Sequence, residues 1–323
     1  PYMGSSSFGP FMSKWVKKSY PDVKSDLCTC FIERGFNLAK DRGYAAMITM
    51  QSWMFLGSFE KMRSSLIGSK SILSMLHLGP RAFDAIGGEV VNVTADVVYN
   101  GRAACEGAYV RLVDINGSEA KRQKALEAIQ NPGCGWFYRR DAETFKQIPG
   151  TPIAYWASDG IVYAFSDCPS LGESLAFREG IHTADNARFL RYWWEASDSE
   201  IVTNAASLAD VDSKGSYVPY CKGGEFRKWY GNLEWVIAFN DLHRSEMREL
   251  PGCVWPSQGL WFKEGGTWTA VSSGNLGIRF FPSGCLFDAG GQVVVGEKCK
   301  EAIGFLNSSF AKAIADLLMP TLN

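Results

Sequence analysis

Hydrophobic and polar positions alternate in two periods along the first third of the chain. Residues 10–19 (Pro10-Phe11-Met12-Ser13-Lys14-Trp15-Val16-Lys17-Lys18-Ser19) predict a short basic helix, with Pro10 suited to its first turn. Pro21-Asp22 turns the chain, and Ser25 or Asp26 can cap a second helix. Its Leu27, Phe31, Arg34 and Leu38 share one stripe, and Gly43 is expected to end it. Tyr44–Met50 is a continuous apolar run, which suits a strand buried on both faces. A third helix is expected over about Ser58–Leu66, then strands over Lys70–Leu78, Glu89–Tyr99 and Tyr109–Val113. This alternation predicts a parallel α/β sheet. The last strands are not all separated by helices, so an antiparallel edge is expected.

A charged helix over residues 117–130 stops at Asn131-Pro132-Gly133, and the pattern then changes. Glycine, tryptophan and tyrosine rise, alternation becomes short-range, and turn signals recur at Gly223-Gly224, Gly265-Gly266, Pro282-Ser283-Gly284 and Gly290-Gly291. A mixed, strand-rich second domain follows from this. The boundary falls between Asn131 and Pro152 and is placed so that residues 1–145 form one domain and 146–323 the other. Helical spacing returns over Cys299–Leu318.

Composition narrows the class. The 323 residues are 46% hydrophobic and 21% charged, which is globular, and no apolar run approaches the ~18 residues needed to span a bilayer. The formal net charge of −1 gives no overall electrostatic pull toward nucleic acid, so any such binding rests on local patches. Nine cysteines without a C-x-x-C pair, and three histidines far apart in sequence, offer no metal-ligand spacing. The cysteines read as reduced packing residues of a cytoplasmic protein.

Several segments carry candidate chemistry. Pro1-Tyr2 matches the second half of an Asn-Pro-Pro-Tyr tetrapeptide, in which the aromatic ring stacks on a base flipped out of the duplex. Gln51 and Ser52 stand at the carboxyl end of the strand 44–50, where ligands of open α/β sheets gather. His77 has no neighbouring nucleophile or carboxylate in sequence and reads as structural. Asp185 or Asn186 can cap a helix that puts Arg188 and Arg191 on one face. The run Lys222-Gly223-Gly224-Glu225-Phe226-Arg227-Lys228-Trp229-Tyr230-Gly231-Asn232 mixes cations, aromatics and glycines able to grip a phosphate backbone, and lacks the G-K-[ST] of a nucleotide P-loop.

In their order, Pro1-Tyr2-Met3-Gly4, the Ser25–Arg34 helix, Ala46–Leu56, Gly87-Gly88-Glu89-Val90-Val91, Asp185–Phe189, Lys222–Asn232, Phe262–Trp268 and Pro320-Thr321-Leu322-Asn323 resemble the second half of an adenine-specific DNA methyltransferase. The likeness is to the large methyltransferases of the BREX phage-defence system and to type IIG restriction–modification enzymes. It implies the C-terminal half of a Rossmann-like methyltransferase sheet over residues 1–145, followed by a mixed α+β target-recognition domain over 146–323. It also implies transfer of a methyl group from S-adenosylmethionine to adenine N6 in double-stranded DNA. Pro1 and Tyr2 become catalytic-loop residues, and Arg188, Arg191, Lys222, Arg227 and Lys228 become candidate DNA contacts. Other defence-system proteins are possible partners.

The sequence departs from that pattern. The Asn-Pro before Pro1 and the glycine-rich cofactor loop are absent, so this polypeptide alone is expected to be inactive. Asp96 stands where relatives tend to carry an aromatic near the flipped base, and Ala184 replaces the usual glycine before Asp185-Asn186. Two alternatives stay open: a non-catalytic DNA-recognition subunit of a defence complex, and a carbohydrate-binding protein, suggested by 11 tryptophans and many glycines.

Overall fold

The computed structural model describes residues 2–84, 91–270 and 276–318. Pro1, the Gly87-Gly88-Glu89-Val90 turn and the terminal Pro320–Asn323 lie outside the described residues. The chain packs as two compact units, one running to Cys168 and one from Pro169.

The first unit holds helices α1 (Pro10–Ser19), α2 (Leu27–Leu38), α3 (Glu60–Ser69), α4 (Ser118–Gln130) and α5 (Asp159–Asp167). Its strands are β1 (Tyr44–Met50), β2 (Ser71–Gly79), β3 (Val93–Tyr99), β4 (Gly107–Arg111) and β5 (Phe137–Arg140), in the order β1-β3-β2-β4-β5. Only β2 and β4 run parallel; the other three pairings are antiparallel. The sheet is therefore mixed rather than parallel with one reversed edge, because β3 returns antiparallel and inserts between β1 and β2.

Two local expectations change. Asn100, not Gly43, closes α2: its carboxamide donates to the carbonyls of Phe36, Ala39 and Lys40 at 3.1–3.2 Å, satisfying acceptors that a helix end leaves bare. Strand β1 is not buried on both faces. Tyr44, Ala46 and Ile48, which share one face of the strand, are exposed while Thr49 on the other face is buried. Along its edges, β3 pairs on one side and, among the described residues, no strand pairs on the other.

The core gathers Trp53, Phe59, Ile67, Tyr109, Phe145 and Tyr155. Within it Arg63 is fully buried and donates to four backbone carbonyls, those of Trp53, Leu56, Gly150 and Thr151. This guanidinium ties the turn after β1 to the segment before Tyr155. Burial lowers its pKa to about 10.

The second unit holds β6 (Ala176–Arg178), α6 (Asn186–Phe189), β7 (Leu190–Tyr192), α7 (Leu208–Lys214), β8 (Tyr217–Cys221), β9 (Trp229–Tyr230), β10 (Trp235–Ala238), α8 (Asp241–Arg248), β11 (Gly265–Thr269), β12 (Arg279–Phe281), β13 (Leu286–Phe287), β14 (Gly291–Val295), α9 (Cys299–Leu306) and α10 (Ser309–Leu318). Two sheets form, β13-β8-β10-β7 and β6-β14-β11-β12-β9, over a core rich in Phe189, Tyr220, Phe239, Phe281 and Phe287. The helical run expected over 299–318 breaks at Asn307. Its side chain bonds both the N–H (3.0 Å) and the C=O (2.8 Å) of Ile278, which draws the chain out of one helix before the next begins. No helix among the described residues is long and apolar enough to cross a membrane.

Candidate nucleic-acid site

Register places one end of the first sheet. Met50 of β1 faces Val93, His77 of β2 faces both Thr94 and Arg111, and so the carboxyl ends of β1, β2 and β4 meet the start of β3. Ligands of α/β sheets collect at such an end. Tyr2 lies against β1: its hydroxyl donates to the Ile48 carbonyl at 3.3 Å, and its ring is 57% exposed. The backbone beside it is pinned, since Leu27 N–H donates to Met3 O at 3.0 Å and Ser5 N–H to Ser25 O at 2.9 Å. Asp26 caps α2 by accepting from Cys28 N–H at 2.7 Å. Burial, and then Cys28, raises the Tyr2 phenol above its ordinary range, so it stays protonated at neutral pH.

His77 is more connected than its sequence neighbours suggest. Its Nε2 lies 2.8 Å from Gln51 Oε1 and its Nδ1 3.0 Å from the Tyr155 hydroxyl. Phe55, Tyr155 and Trp156 pack around the imidazole, and the Arg111 guanidinium sits 5.7 Å over the Trp156 ring. Burial, with Arg111 and Lys121 nearby, lowers the His77 pKa to about 3, so the ring is neutral. Tyr155 and Trp156 were invisible to sequence reasoning; only Gln51, at the strand end, was signalled.

Asp96 lies inside the sheet, between Met47 and Met75, three residues from the start of β3. It is 6% exposed and its Oδ1 has no hydrogen-bond partner. Burial pushes its pKa up to about 7.

In the second unit Lys222, beyond β8, flanks an aromatic ladder; Arg191 lies on β7, past the end of α6 at Phe189, so it does not share a helix face with Arg188 as expected. Tyr192 stacks on Trp194 at 4.6 Å and meets Trp235 at 4.2 Å with the rings tilted by 30°, and Lys222 Nζ lies 5.0 Å over the Trp235 ring. Arg191 also donates to the carbonyls of Ala187 and Leu190. The Tyr-Trp-Trp run at 192–194 is the signal in the sequence that could have marked this ladder. Arg227 is exposed. Arg188 pairs with Glu246 at 2.8 Å, and Lys228 donates to the Asn307 carbonyl at 2.8 Å, so both of these charges already have partners. Asp185, as expected of that pair, caps α6, accepting from Arg188 N–H at 3.0 Å. Ala184 before it adopts φ 62°, the left-handed conformation that glycine takes without strain.

Residues 1–83 match the Eco57I restriction-modification methylase family. The whole chain is 38% identical to the adenine-specific methyltransferase PglX of Lacticaseibacillus casei (strain Zhang), covering 28% of that protein. It is likewise 38% identical to the adenine-specific methyltransferase BrxX of Escherichia coli O9:H4 (strain HS), covering 26%. The chain is thus a homologue of the BREX adenine-specific methyltransferases, and it spans a little over a quarter of their length. The type IIL restriction-modification enzyme MmeI, solved in complex with DNA, shares its fold over 95% of this chain and 41% of that one, with a TM-score of 0.54 at 13% identity.

Proposed function

We propose that this chain supplies the base-facing half of the catalytic domain, expected over residues 1–145 and extending through the first unit to Cys168, and a DNA-recognition domain in the second unit from Pro169, to an S-adenosylmethionine-dependent DNA N6-adenine methyltransferase of phage defence. The first sheet is the C-terminal half of a Rossmann-like methyltransferase sheet. The observation that carries the reading is identity along the whole chain to two adenine-specific methyltransferases, together with an exposed phenol ring fixed at the carboxyl end of a sheet. Pro1 and Tyr2 belong to the catalytic loop, and the Tyr2 ring stacks on an adenine flipped out of the duplex. Lys222 and Arg227, with the Tyr192–Trp235 ladder, face DNA; Arg188, Arg191 and Lys228 reach it only by leaving Glu246, the Ala187 and Leu190 carbonyls, and Asn307.

S-adenosylmethionine supplies the methyl group in this reading. Among the described residues no strand of the first unit is followed by the G-x-G-x-x-G turn that cradles a nucleotide cofactor. The described residues do not form that cradle.

The test is to express the complete gene, with its neighbouring defence genes, in a host lacking adenine methylation and to map N6-methyladenine in its DNA. A recurring methylated sequence is expected. Stacking contributes ~1–3 kcal/mol per base, so Tyr2→Ala should slow methylation by about ten- to a hundredfold while Tyr2→Phe stays near wild type. A Tyr2→Ala protein that methylates like wild type would refute the role of the ring.

A further inference from the structure

The buried network at the same sheet end has a direction. A carboxamide oxygen only accepts, so His77 Nε2, 2.8 Å from Gln51 Oε1, carries the hydrogen. Nδ1 is then the acceptor of the Tyr155 hydroxyl, 3.0 Å away. Donation runs from Tyr155 to His77 to Gln51. Phe55, Tyr155 and Trp156 hold the ring in place, and burial keeps it neutral.

With Oε1 engaged by His77, Gln51 keeps the second lone pair of that oxygen and the two N–H donors of its Nε2, for which no hydrogen-bond partner is seen among the described residues. Gln51 is half-buried and follows the last residue of β1. It lies three residues beyond Ile48, the carbonyl that takes the Tyr2 hydroxyl, which is about 10 Å along a strand. An apolar side chain at position 77 would fill the same core without polar atoms to satisfy. A fully bonded polar chain there makes sense if it orients a group at its outer end. We propose that Gln51 contacts the extruded nucleotide, donating its Nε2 hydrogens to an acceptor atom on it, and that His77 and Tyr155 are positioning residues that aim it.

This rests on the methyltransferase reading, so the experiment uses the complete protein and a duplex bearing the methylated sequence mapped in cells. Gln51→Glu keeps the oxygen that His77 needs and withdraws both donors. Gln51→Met keeps the volume, removes the donors and adds no charge. Both variants should lose at least tenfold in kcat at saturating duplex, the usual scale for a lost hydrogen bond in a transition state, with the melting temperature of Gln51→Glu unchanged. His77→Phe should lower kcat similarly while KM moves less than threefold.

If Gln51 serves only to anchor His77, Gln51→Glu will work within twofold of wild type, and the proposal falls. A rise in KM that salt abolishes, with kcat intact, signals mere repulsion of DNA by the new carboxylate and equally overturns it. A complete wild-type protein that leaves adenine unmodified removes the underlying reading; an active wild type with an active Gln51→Met removes this inference alone.

Discussion

Asp96 offers a test in which the sign and the size both follow from its surroundings. Its pKa is about 7 in the folded chain, against an ordinary aspartate value of about 3.9 when unfolded. A carboxyl whose folded pKa is raised costs nothing below the unfolded value. Above it the unfolded chain releases the proton first, and each pH unit up to about 7 costs about 1.4 kcal/mol. Above that the penalty is constant. Replacing Asp96 by Asn leaves a neutral group of the same shape, so its benefit should track the charge. Between pH 5 and pH 8.5 the window covers two units, and the advantage of Asp96→Asn over wild type should grow by about 3 kcal/mol. Urea titrations at the two pH values measure it through the midpoint shift at constant slope. His77 works in the opposite sense in wild type, because its folded pKa is lowered to about 3 and the unfolded chain takes up a proton below about 6.5. That contribution is common to both proteins and cancels in the difference. An advantage that stays the same at pH 5 and pH 8.5 would refute the claim that Asp96 is buried without a partner.

Two further outcomes are expected. Ala184 is exposed at φ 62°, so Ala184→Gly removes about 1–2 kcal/mol of left-handed strain and adds back up to about 1 kcal/mol of chain entropy. The variant should melt a few degrees higher, and an unchanged or lower melting temperature contradicts that. Neutralising Lys222 or Arg227 should reduce the salt slope of DNA binding by about 1 if each contacts a phosphate, and an unaltered slope removes that residue from the DNA face.

What the sequence made legible was local. The helix at Pro10–Ser19 and the strand at Tyr44–Met50 begin and end where pattern and flanking residues put them. Gln51 was marked by standing at a strand end, and Asp185 by the chemistry of caps. What escaped were effects that act across the chain. His77 meets partners 26 and 78 residues away, and neither spacing leaves a periodic trace. The insertion of β3 between β1 and β2 is a choice of neighbours, not of conformation. Arg63 of α3 and Lys121 of α4 are each buried against backbone carbonyls, because a long side chain can reach acceptors that the fold alone brings near. Asn307 ended a helical run with no proline or glycine, by imitating a strand backbone.

The outer side of β1 carries a practical consequence. Apart from the Ile48 carbonyl, which the Tyr2 hydroxyl occupies, the extended backbone of β1, with Tyr44 and Ile48 exposed, forms a template onto which a further strand can be laid. Produced by itself, such a polypeptide tends to self-associate edge to edge, and its solubility becomes a sensitive readout of whether something else occupies that rim. Lysine placed at position 46 would blunt the tendency without touching the fold's interior, which makes it a useful handle for anyone handling the chain at high concentration.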